Sequence, residues 1–190
     1  MAAIGVVLII VGAVALMVLA QRFAEDMGIG PDGTMTECAL ISSDQLSNAL
    51  DGSAEALPLG GIVDATVGRL LDKRVLPDAE DCWIAAESSA TGRIARQVGG
   101  GASDAYRTAL DNARSGGYYA GDVSEGDEAF CTARSGAGSF GVLVRRGDNL
   151  VYVSLIDPAV SSSGFGTNDD GEITSAATCA LAARVASRVR

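Results

Sequence analysis

The first stretch of the chain has no polar face at all. Residues 2–20 (AAIGVVLIIVGAVALMVLA) carry no charged or strongly polar side chain. At 1.5 Å per residue such a helix spans about 28 Å, close to the roughly 30 Å of a bilayer's hydrocarbon core. A core helix of a soluble domain keeps a polar stripe, and this one has none. Residues 1–20 are therefore expected to form one N-terminal transmembrane helix. A cleaved signal peptide is the competing reading. It calls for a basic n-region, a shorter apolar run and an A-x-A-like site. No base precedes the run, and Val18-Leu19-Ala20 is a poor cleavage site, so a retained anchor is preferred. A basic n-region lost upstream would restore the signal-peptide reading. Residues 21–36 (QRFAEDMGIGPDGTMT) hold three glycines, a proline and no period, which reads as a flexible stalk.

From residue 37 to 190 the pattern changes to that of a folded domain. Ser42 with Gln45 makes a capping box for a helix over 41–51, with Leu46, Ala49 and Leu50 as its apolar stripe. Residues 59–76 are ambiguous, because Val63, Val67, Leu70 and Leu71 fit a helix that Gly60, Gly61 and Gly68 weaken. DCWIAAES and TGRIARQV read as strands joined by a turn at Ser89-Ala90. Gly99-Gly100-Gly101 breaks the pattern, and Ser103 is expected to cap a helix through Ala113 that ends at Gly116-Gly117.

The clearest β signal follows: β-branched runs at 140–146 and 149–156 around Gly147-Asp148 predict a hairpin with a type II′ turn. Residues 161–166 (SSSGFG) read as a loop. A last helix over about 172–189 carries Ile173, Ala177, Leu181, Val185 and Val189 on one stripe. Beside them runs a small-residue row of Ala176, Cys179, Ala183 and Ala186. Together these elements predict an α+β fold, an antiparallel β-sheet with helices packed on one face.

Charge narrows the class of partner. Every charged side chain lies at or after Arg22, so the net charge of −10 belongs to the exported part. An acidic surface without a basic stripe argues against nucleic acid and anionic lipid headgroups. The positive-inside rule does not orient the anchor, since Arg22 is its only flanking base and Glu25 and Asp26 follow.

The cysteines decide the orientation instead. Cys38, Cys82, Cys131 and Cys179 are widely spaced, there is no C-x-x-C, and the chain has no histidine, so neither a metal site nor a cofactor is expected. An even count behind an export segment reads as two disulfides in an oxidising compartment. Spacing leaves three connectivities open. Pairing 38–82 and 131–179 ties each helix to the strands nearest in sequence, and each loop would contribute about 4 kcal/mol in the chain-entropy model.

Other motifs weigh little. Arg146-Gly147-Asp148 spells an adhesion tripeptide, but Gly-Asp is also what the hairpin turn needs. Residues 168–172 (NDDGE) have the wrong acidic spacing for an EF-hand. The glycines at 99–101 lack a following G-K-[ST]. Tyr118, Tyr119 and Trp83 read as packing aromatics rather than a pocket lining. With no histidine, no Ser-His-Asp, Cys-His or H-E-x-x-H arrangement is available, and no carboxylate pair stands out, so no catalytic residue is assigned.

Several segments resemble a family of exported actinobacterial domains of unknown function, many of them lipoproteins. They are Cys38-Ala39-Leu40-Ile41, Cys82 with Trp83, Gly126-Asp127-Glu128-Ala129-Phe130-Cys131, and the strand pair over 142–153 (VLVRRGDNLVYV). The plan is also similar to the extracellular sensor domains of some actinobacterial receptor serine/threonine kinases, which carry two disulfides. The resemblance covers about residues 37–190. The sequence departs from it in having no lipobox and no kinase domain, and no ligand-binding residue carries over. The kinase relatives imply a ligand-sensing cleft. Taken with the apolar run, the four cysteines and the missing catalytic groups, the expectation is a single-pass protein of the cell membrane whose C-terminal domain is extracytoplasmic, sensor-like and non-catalytic, and which binds an envelope ligand or partner protein. The alternative is an accessory subunit of a membrane complex docked through its helix, and an envelope hydrolase is a distant third.

Overall fold

The protein's computed structural model describes residues 38–58, 75–76, 79–87, 91–134, 139–156 and 170–190, the side chains at 134, 139 and 170–177 excepted. The anchor at 2–20, the stalk at 21–36, most of the ambiguous stretch 59–76, the turn at Ser89-Ala90 and the loop at 161–166 lie outside the described residues. Among the described residues no helix is long and apolar enough to cross a membrane.

Helix α1 (Ser43–Leu50) begins as its capping box dictates. The Gln45 amide donates to Ser42 Oγ, and the Ser42 amide donates to Gln45 Oε1, each at 3.3 Å. It ends at Asp51, in the left-handed region with φ 56°, and buries Leu46 and Ala49. Strand β1 (Ala54–Pro58) follows, then β2 (Glu80–Ala86) and β3 (Thr91–Val98). Helix α2 (Ala102–Ser115) leads to β4 (Tyr119–Asp122), β5 (Glu128–Arg134), β6 (Ser139–Arg146) and β7 (Asn149–Ile156). Helix α3 (Asp170–Ala186) closes the chain.

The seven strands among the described residues make one antiparallel sheet in the order β1-β2-β3-β7-β6-β5-β4. It is two meanders sewn together where β3 pairs with β7. Helix α2 is the crossover between them, carrying the chain from β3 over β7 and β6 to deliver β4 at the far edge.

The α+β class, the antiparallel sheet and both disulfides agree with the sequence, but the helices do not share one face. Helices α1 and α3 cover the face made by Ile84, Ile94, Val142, Val144, Val151, Val153 and Leu155. Helix α2 covers the opposite face, with Ala102, Tyr106 and Ala113 over Phe130, Leu143, Leu150 and Tyr152. The physical reason is legible in β7. From Leu150 to Leu155 every residue is buried, so the strand reads as a continuous apolar run broken only by Ser154. A strand with one solvated face alternates instead. Helix α2 also starts differently from the expectation: Gly101 holds the N-cap position with no side-chain cap, and Ser103 lies inside the first turn.

Both disulfides sit on the α1/α3 face. Cys38–Cys82 ties the segment entering α1 to β2, and Cys131–Cys179 ties α3 to β5, each with Cα atoms 6.0 Å apart. One staple thus holds each meander to the helix layer. Of the small-residue row of α3, Cys179, Ala183 and Ala186 are buried against the sheet beside Ala182 and Val185, and the side chain of Ala176 lies outside those described. The C-terminal turn docks beside the segment entering α1, the Arg190 amide donating to Leu40 O at 3.0 Å.

Among the described residues, the outer edges of β1 and β4 are managed locally. At β1, Ala54 exchanges bonds with Ser47 Oγ at 3.0 and 3.1 Å, the Cys38 amide donates to Ala56 O at 3.0 Å, and Pro58 ends the strand. At β4 an irregularity between Tyr119 and Gly121 breaks the regular edge. Both devices reduce an edge's capacity to template another strand.

Candidate functional site

Among the described residues, the densest buried polar chemistry lies on the α2 face, in one row across the sheet. In register, Leu57, Trp83, Arg93, Ser154, Gly141, Thr132 and Tyr119 follow one another from β1 to β4. Apolar positions would be the default there. Arg93, Ser154 and Thr132 are buried instead.

Arg93 is fully buried, at 0% exposure, and its guanidinium is held on three sides. Nε donates to Asp81 Oδ1 at 2.8 Å, Nη1 to Val75 O at 2.7 Å and Nη2 to Leu76 O at 2.5 Å. Taking a guanidinium out of water costs several kcal/mol, offset only by a counter-ion and well-aligned acceptors. Asp81, 10% exposed, supplies the first, and two main-chain carbonyls supply the rest. In return Arg93 fastens the Val75-Leu76 turn onto the sheet. Leu76 sits there at φ 51°, a left-handed conformation that costs a bulky L-residue about 1–2 kcal/mol. The arrangement is a clamp on a strained turn.

Beyond Arg93, Tyr152 lies across β6. Its guanidinium neighbour stands 6.0 Å from the ring centroid. The hydroxyl of Tyr152 is 3.0 Å from Thr132 Oγ1, and Thr132 Oγ1 donates to Gly141 O at 3.3 Å. Because threonine has one hydroxyl proton, Tyr152 is the donor in its bond to Thr132. A Cβ at Gly141 would fall 2.3 Å from the Tyr152 hydroxyl, so only glycine admits the ring.

The second polar constellation is at the β6–β7 hairpin. Gly147 has φ 57° and Asp148 is not in the positive-φ region, the combination a type II′ turn uses. Arg146, the first residue of the tripeptide, is engaged with Glu125 Oε1 at 2.8 Å and with Ala186 O, at the C-terminal end of α3, at 3.1 Å. That places a cation where the helix dipole is negative. Asp127 accepts from the Gly147 amide at 2.7 Å and pairs with Arg145 at 3.3 Å. Glu128 accepts from Arg145 Nε at 2.7 Å, a bond that raises the affinity of the Arg145 guanidinium for its proton. The tripeptide is thus built into the hairpin's own support.

Near this cluster Tyr106 of α2 stands edge-on to Phe130, with centroids 5.5 Å apart. Burial, with the negative charges of Glu128 and Asp122 behind it, pushes its pKa up to about 12. At the β4 edge Arg114 stacks over Tyr119, 5.0 Å from the ring centroid.

The four cysteines are the sequence-assigned residues that the fold brings together, in the expected pairs. Tyr118 packs in the α2-side core, with Tyr119 against it. Trp83 is half-buried, and its Nε1 has no hydrogen-bond partner among the described residues. The acidic run at 168–172 lies outside the described side chains. Among the described residues no group of three or more acidic or cysteine side chains is placed to hold a metal ion. The Arg93 clamp had no local sequence signal, since an arginine alternating with Ile94 reads as solvent-facing.

No family model matches the chain, and no curated protein matches it.

Proposed function

We propose that the chain is a membrane-anchored, extracytoplasmic, non-catalytic domain that recognises an envelope ligand or a partner protein, in the manner of a sensor module. The observation that carries this reading is the oxidation state of its cysteines. All four are consumed in two buried disulfides that staple each half of the sheet to the helix layer. Structural disulfides of this kind form and persist outside the cytoplasm. The apolar run at 2–20 supplies the anchor, and the resemblance to exported actinobacterial domains and kinase sensor domains supports a recognition role. The polar chemistry fits the same reading: Arg93, Thr132 and Tyr152 are spent on holding the fold.

The test is a topology experiment on the full-length chain in its native membranes. The protein should resist carbonate extraction and yield a protected fragment of residues 37–190 only in vesicles that keep the outer face inside. Solubility after the wash, or protease access from the cytoplasmic side, would overturn the assignment. Exchanging residues 2–20 for an unrelated transmembrane helix then separates recognition from subunit docking. A domain that recognises its own ligand keeps its cross-linked partners after the exchange. An accessory subunit docked through its helix loses them.

A further inference from the structure

No further inference is drawn: the strongest candidate, the half-buried strip of Leu57, Trp83 and Ala85 on the part of the sheet's second face beside β1, where Trp83 Nε1 has no partner among the described residues, carries nothing because nothing in the structure shows what covers it.

Discussion

Arg93 on β3 reaches diagonally across the β2–β3 pair to Asp81, with Nε 2.8 Å from Oδ1, and it does so with its side chain wholly buried. Removing one member of such a pair leaves the other charge stranded, at a cost of about 3–5 kcal/mol. Arg93→Ala should therefore lower unfolding stability by about that much in urea denaturation. It should also release Val75 and Leu76, seen as faster amide exchange at both. Arg93→Lys should recover little, because an ammonium cannot bridge Asp81 and two carbonyls in the guanidinium's fork. A loss below about 1 kcal/mol for Arg93→Ala would show that the clamp is not buried.

Gly141 and Tyr152 make a second coupled pair. Gly141→Ala places a methyl against a ring that is fully enclosed, and overpacking of this kind costs about 1–3 kcal/mol. Tyr152→Leu removes the obstructing ring, so the double variant should be more stable than the sum of the single losses predicts. Strict additivity in the cycle would contradict the contact.

Tyr106 gives the domain a dependence on alkaline pH. The fold raises its pKa from 10.0 to about 12, so folded protein keeps a proton that the unfolded chain releases. That contribution is complete below pH 10 and is lost as pH rises from 10 to about 12. The wild type should therefore lose more stability across this window than Tyr106→Phe does. Parallel profiles for the two proteins would show that Tyr106 does not titrate abnormally.

The two disulfides close loops of similar span, 44 and 48 residues apart in sequence. Chain entropy then assigns each about 4 kcal/mol. The paired variants Cys38→Ala/Cys82→Ala and Cys131→Ala/Cys179→Ala should be destabilised by amounts within about 1 kcal/mol of each other. A large asymmetry would show that one bridge acts through packing rather than through the unfolded chain.

Some of this was readable from the chain and some was not, for reasons that differ by element. The capping box at Ser42 and Gln45, the β6–β7 hairpin and the small-residue row of α3 are local patterns, and local physics fixes them. Strands β1 and β4 were invisible: AEALP has no β-branched residue and YAGD is four residues long, so each exists through pairing with its neighbour. The second buried face is not legible in α2 itself, because a helix's apolar stripe does not say which side of a sheet it covers. The run of β7, apolar from Leu150 to Leu155 except at Ser154, carries the opposite message. Arg93 was beyond reach, since its acceptors Val75, Leu76 and Asp81 are assembled only by the tertiary fold.

The central claim, an oxidised domain held outside the cytoplasm by a retained anchor, is tested most directly by non-reducing peptide mapping of full-length protein isolated from membranes. The account predicts Cys38–Cys82 and Cys131–Cys179 cross-linked peptides, no free thiol, and a peptide containing residues 2–20 still attached. Free thiols at all four cysteines would contradict it.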